Sequence, residues 1–127
     1  MNLLLDACDF LWFIASDPKL SEERRNAIKD PTNAVFLSSA STAEIAIKYS
    51  TAKLDLPTPP STYIRDARIR HGILTLPLTE EACFLFADLP MHHKDPFDRI
   101  LICQAIAHGM TLLTSDPKIH LYNLPLI

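Results

Sequence analysis

Residues 92–116 read HHKDPFDRILICQAIAHGMTLLTSD. The run from Phe97 to His108 is mostly apolar and helical in length. It stops at Gly109, a residue that readily takes the left-handed turn ending a helix. Met110 to Thr114 (MTLLT) then forms a short, almost wholly apolar strand. A helix followed at once by such a strand belongs to a βα framework, in which a parallel sheet is covered on both faces. The acids of this stretch stand at the joints of that framework rather than on its solvated faces. Asp95 and Asp98 lie at the helix start, and Asp116 lies just past the strand. Acids in such places point to a site for a hard cation.

The rest of the chain repeats the pattern. Asn2 to Leu5 is an apolar strand ending at Asp6, and DFLWFIA at 9–15 reads as a short helix. Ser21 caps a helix reaching Lys29, with Glu22 and Glu23 in its first turn. AVFLS at 34–38 is a second strand. Ser41 opens a helix reaching about Tyr49, and Glu44 completes an S-x-x-E capping box with it. KLDLPTPP at 53–60 is a turn segment, residues 61–71 are helical, and Gly72 stops them. Ile73 to Leu76 is a third strand, Thr79 caps a helix to Asp88, and Leu124 to Ile127 offers a short fifth strand. The chain of 127 residues reads as one domain spanning 1–127.

Bulk properties set limits. With 48% hydrophobic residues and a net charge of −3, the chain is neither disordered nor globally basic. Local cations remain for phosphate contacts: Arg65, Arg68, Arg70 and His71 in one run, with Lys48, Lys53, Lys94 and Arg99 elsewhere. Cys8, Cys83 and Cys103 are far apart with no CxxC, so they read as reduced and mostly buried. Asp6 and Asp9 interrupt the first apolar run, which has no basic flank, and no stretch approaches the ~20 apolar residues of a membrane span. A soluble cytoplasmic protein is expected.

Ligands of open parallel sheets bind outside the carboxyl ends of the strands. Asp6, Glu44 and Asp116 fall on that edge by connectivity. Asp98 precedes its strand and reaches the same edge only if residues 89–96 climb back to it. Those eight residues can span up to ~26 Å. Each acid also has a plain role. Glu44 can serve the capping box and pair with Lys48, Asp95 before Pro96 is an N-cap, and Asp116-Pro117 is a turn dipeptide. The set says more than its members. Two carboxylates ~4 Å apart repel by ~4 kcal/mol at an effective dielectric near 20, unless protonated or bridged by a cation. All-oxygen ligands favour Mg²⁺ or Mn²⁺, which can serve phosphodiester hydrolysis. His92 and His93 flank the acids and could contact substrate or metal, although a loop position favours the surface. No Gly-rich phosphate loop, G-x-S-x-G or H-E-x-x-H is present. Phe10, Trp12 and Phe13 are expected in the core.

These residues together resemble the PIN-domain ribonucleases, and within them the toxins of VapBC-type toxin–antitoxin modules. The likeness is carried by LLLDACDFLW at 3–12, FLSSASTAEIAIK at 36–48, KLDLP at 53–57, LPLTEEA at 76–82, LPMHHKDPFDRILICQAIAHG at 89–109 and TLLTSDPKIHLY at 111–122. The resemblance implies a three-layer α/β/α fold with a parallel sheet of four or five strands. It also implies a Mg²⁺- or Mn²⁺-dependent endoribonuclease acting on RNA, held inactive by a cognate antitoxin and forming a homodimer. The family's catalytic acids carry over as Asp6, Glu44, Asp98 and Asp116, with Asp6 and Asp98 as principal metal ligands. Lys48 and Arg99 become candidates for phosphate or acid contacts. The hydroxyl residue near the last acid is Thr114 or Ser115. The segment after the first acid departs from the pattern. Relatives commonly read D-T-H-x-x-L-W, whereas this chain reads Asp6-Ala7-Cys8-Asp9, which lacks a hydroxyl and adds an acid. The alternative reading that this departure supports is a catalytically silent module binding protein or RNA.

Overall fold

A computed structural model describes residues 1–127. Strands β1 (Asn2–Leu5), β2 (Ala34–Ser38), β3 (Leu74–Leu76) and β4 (Thr111–Leu113) form one sheet in the order β3-β2-β1-β4. Every pairing is parallel, with Leu4 opposite Phe36 on one side and Leu112 on the other. The segment expected as a fifth strand contributes only an isolated bridge between Leu112 and Leu126. Pro125 is one reason: it has no N–H to give, so pairing runs through its carbonyl and through Ile127.

Strand side chains alternate between faces, and the core divides accordingly. Leu3, Leu5, Val35, Leu37 and Leu113 pack with Phe10, Phe13, Ile28, Ile45 and Ile64 from helices α1 (Ala7–Ile14), α2 (Glu22–Lys29), α3 (Ser39–Ser50) and α4 (Pro60–His71). Leu4 and Leu112 pack on the opposite face with Leu101, Ile102 and Ala105 of α6 (Pro96–His108), against which α5 (Glu80–Leu85) lies. The result is three layers, α/β/α.

Local chemistry sets the helix ends. Ser21, Thr79 and Asp95 each accept a backbone N–H at the start of α2, α5 and α6. Gly72 and Gly109 close α4 and α6 at φ 65° and 62°. The expected capping box at Ser41 does not form. The helix begins directly from β2, Ser38 accepts the N–H of Ala40, and Ser41 is buried within α3 with its hydroxyl unpartnered. The helix expected to run to Asp88 ends at Leu85 and continues as a 3-10 turn, Phe86–Asp88. The three cysteines are free, but Cys8 and Cys83 are exposed, and only Cys103 is buried as expected. Phe10 and Phe13 are core residues, whereas Trp12 is only partly buried. No helix is long and apolar enough to cross a membrane.

Candidate active site

The carboxyl edge of the sheet gathers the predicted acids around one groove of about 650 Å³, lined by Asp6, Glu44, Asp98 and Asp116 at one end. Asp6 follows β1 and caps α1, accepting the Cys8 N–H at 3.4 Å. Its second oxygen accepts the Thr114 hydroxyl at 2.7 Å. Asp6 therefore obtains from the end of β4 a hydroxyl that Ala7 cannot provide. Thr114 Oγ1 also accepts the Asp116 N–H at 3.1 Å, so one side chain joins the first and last acids.

Glu44 projects from α3 and is buried. Its Oε2 takes the Lys48 ammonium at 2.8 Å, while its Oε1 is buried with no hydrogen-bond partner. An unpartnered carboxylate oxygen out of water is costly, and a cation at this end of the groove would satisfy it.

Asp98 reaches the same edge because residues 89–95 climb back. Arg99 holds that climb. Its buried guanidinium donates to the carbonyls of Leu89, Pro90 and His93 and to the Tyr122 hydroxyl. Tyr122 Oη in turn accepts the N–H groups of His92 and His93 at 3.1 and 3.0 Å. Arg99 is thus a clasp inside the fold, and the expectation that it touches phosphate or the acids is corrected. Arg68 of the basic run is committed in a similar way, to the carbonyls of Leu37, Ile73 and Leu74.

The residue sequence reasoning undervalued is His93. It is buried, at 9% exposure, although it lies in a loop. Its Nε2 lies 2.9 Å from Asp98 Oδ2 and 2.8 Å from Asp116 Oδ2. Those three groups have the spacing of a metal cluster. The tautomer argues for a different role: Nδ1 accepts the Asp95 N–H at 3.1 Å, so the ring proton sits on Nε2. His93 is a donor bridging two acids, not a ligand. The signal in sequence was an adjacent pair, His92-His93, of which only one ring turns inward. Asp95 caps α6 through the N–H groups of Phe97 and Asp98, as its place before Pro96 predicts.

The electrostatics match a cation site. Burial pushes the Asp6 carboxyl up to about 6, opposed by the Thr114 hydroxyl and reinforced by Asp9 and Glu44. Burial, then Asp6 and Asp95, push Asp98 up to about 7 against the pull of His93. Although Cys8 is an exposed residue, partial burial of its thiol and the neighbouring Asp6 and Asp9 drive it up to about 11, so it is no nucleophile. The acids hold one another's protons on, and a divalent ion would displace them. With Glu44 Oε1 unpartnered as well, the oxygen-rich set fits Mg²⁺ or Mn²⁺. Beyond the acids the groove runs along Leu11, Trp12, Leu54, Leu56 and Tyr63, with Lys48 and Lys53 beside it.

The fold and sequence also have relatives among known proteins. The PIN domain family model matches residues 3–123. Ribonuclease VapC16 of Mycobacterium tuberculosis is 42% identical over 57 residues, which are 45% of this chain and 39% of that protein, so the chain matches less than half of that relative's length. Among solved structures, VapBC2 from Rickettsia felis, bound to a DNA fragment from its promoter, superposes with a TM-score of 0.73 at 19% identity, covering 100% of this chain and 98% of the matched chain. VapBC-1 from nontypeable Haemophilus influenzae gives 0.68 at 19% identity, covering 100% and 97%. At these identities the structural matches establish the fold.

Proposed function

Because the chain belongs to the PIN domain family, we propose that it is a metal-dependent endoribonuclease, the toxin of a type II toxin–antitoxin pair. The observation that carries the reading is the convergence of Asp6, Glu44, Asp98 and Asp116 from separate elements on one groove end, with one buried Glu44 oxygen unpartnered. Asp6 and Asp98 would hold a Mg²⁺ or Mn²⁺ ion, with Glu44 and Asp116 completing its surroundings. When bound, such an ion supplies Lewis acidity toward a phosphodiester and acidifies water.

The protein's own groups do the rest. Thr114 and the Cys8 N–H fix the direction of Asp6. The His93 N–H keeps Asp98 and Asp116 side by side. Lys48, half exposed beside Glu44, stands where it can meet a phosphate of an RNA strand lying in the groove. The alternative, a silent binding module, drew on the Ala7-Cys8-Asp9 segment; the Thr114 hydroxyl gives Asp6 the bond that Ala7 lacks, and RNA binding without cleavage in the assay below would favour that module.

An antitoxin partner, a homodimer and a cytoplasmic location belong to the same proposal. The likeness to VapBC toxin–antitoxin structures supports the first of these. Incubation of the purified protein with single-stranded RNA and Mg²⁺ or Mn²⁺ tests the activity. Cleavage that EDTA abolishes and Asp98→Asn removes is expected. Cleavage that survives both would overturn the assignment.

A further inference from the structure

We propose that Asp9 is a positioning residue for the acid site: it clamps Ser115 and thereby sets the direction of the adjacent Asp116. The proposal rests on the divalent-ion reading above and adds a residue that reading does not use. Asp9 is 1% exposed and does not line the groove. Both its oxygens are engaged by one residue. Oδ2 accepts the Ser115 N–H at 2.9 Å and Oδ1 accepts the Ser115 hydroxyl. Engaged by Ser115 and absent from the groove lining, Asp9 is not placed to hold an ion there.

Its place in the helix gives the clamp a purpose. Asp6 caps α1 and Asp9 lies three residues on, so the two point from the same face. Asp6 takes the Thr114 hydroxyl and Asp9 takes Ser115, so consecutive residues of the 114–116 turn are fastened to the cap of α1 and to an acid in its first turn. Gripping both the N–H and the side chain of Ser115 restrains its backbone and its rotamer together. Asp116 follows at once, with its own N–H on Thr114 Oγ1. A buried carboxylate is tolerated only when its oxygens are matched, and here both matches come from the turn that carries Asp116. Burial raises the proton affinity of Asp9, and the two Ser115 bonds are the first groups opposing that rise.

Asp9 could also act merely as an extra negative charge attracting a cation. An Asn substitution separates the two roles, because its amide can still meet the Ser115 N–H and hydroxyl but carries no charge. The test is Mn²⁺ affinity by titration calorimetry on the full chain, with Asp9→Ala, Asp9→Asn and Ser115→Ala. Metal-free thermal unfolding confirms that each is folded. Asp9→Ala is expected to weaken Mn²⁺ binding on the order of 10- to 100-fold, the usual consequence of losing a residue that orients a ligand. Ser115→Ala, which keeps the N–H bond, should weaken it less, and Asp9→Asn should restore most of the loss. The double Ala variant should be no weaker than Asp9→Ala alone, since the two residues form one unit. Should Asp9→Ala fail to fold, the pair Ser115→Ala and Asp9→Asn carries the test. Wild-type affinity in the Ala variants, or an Asn variant as weak as Asp9→Ala, overturns the clamp while leaving the nuclease reading intact. A wild-type protein that binds no Mn²⁺ overturns both.

Discussion

The two banks of the acid site are built by different means. On one bank, Asp6 sits at the end of β1, where parallel register with β4 brings it beside Thr114 without any loop. On the other, Asp98 stands at the start of α6, which ordinary βα connectivity would leave at the wrong edge. It is delivered by residues 89–95, which Arg99 and Tyr122 tie down with buried hydrogen bonds. The first bank is a consequence of sheet geometry, and the second is an added construction. Changes at the first bank should therefore act on chemistry, and changes at the second on folding and chemistry together.

The largest effect should come from the acids themselves. Asp98→Asn should lower RNA cleavage at least about 100-fold, because losing a ligand forfeits several kcal/mol of charge stabilisation. The same variant should unfold at a higher temperature than wild type at pH 8 without metal, since it removes a charge that burial, and then Asp6 and Asp95, oppose. Kinetic assays and thermal melts of one preparation check both, and a variant less stable than wild type would contradict the cost assigned to the buried, crowded charge of Asp98.

Arg99→Met should show the second bank's dependence on its clasp. Three carbonyls and the Tyr122 hydroxyl lose their donor in a buried place, at a cost of about 2–3 kcal/mol in urea unfolding. Arg99→Lys should recover little, because an ammonium cannot reproduce the planar fork. Since the clasp holds the climb that delivers Asp98, the folded fraction should also cleave RNA more slowly. Full activity in a destabilised Arg99→Met would separate folding from site delivery and break the contrast.

The banks also differ in where they titrate. In the unfolded chain both carboxyls lose their protons near pH 4, whereas in the folded chain Asp6 keeps its proton to about 6 and Asp98 to about 7. Between those limits the native state binds more protons than the unfolded state. Metal-free stability should therefore fall as pH rises from about 4 to about 7 and level off above. Saturating Mn²⁺ binds the deprotonated native acids, which then hold no more protons than the unfolded chain, and should flatten the slope. Melting temperatures across pH, with and without Mn²⁺, read this directly. Asp98→Asn should remove the upper part of the fall and leave the part near 6.

How much of this was legible in sequence follows the same division. The first four apolar strands, the glycine stops and the Ser21, Thr79 and Asp95 caps are local signals that appear where their residues predict, whereas the run at 124–127, with Pro125 in it, makes only one bridge. Asp6, Glu44 and Asp116 could be placed on one edge from connectivity alone. The role of Arg99 could not, because a basic residue beside acids looks the same in sequence whether it faces solvent or carbonyls. His93 was obscured because burial of a loop residue depends on Arg99 and Tyr122, the latter far along the chain. Ser41 looks like a cap in sequence because a helix starting straight from β2, with Ser38 as its cap, leaves no loop to mark its start.

Lys48 is the smallest test and the one that separates metal from substrate. Its bond to Glu44 is an i,i+4 pair with the lysine side chain 51% exposed, but Glu44 is buried, so Lys48→Ala leaves both its oxygens unpartnered and should lower metal-free stability by about 1–2 kcal/mol. The same ammonium repels a cation approaching Glu44 and attracts a phosphate entering the groove. Its removal should therefore move two readouts in opposite directions: Mn²⁺ should bind a few-fold tighter, and KM for RNA should rise with kcat nearly unchanged. A fall in kcat with KM constant would instead put Lys48 among the groups acting on the reacting phosphate. Helix α3 would then contribute catalytic machinery of its own, beyond a contact with substrate.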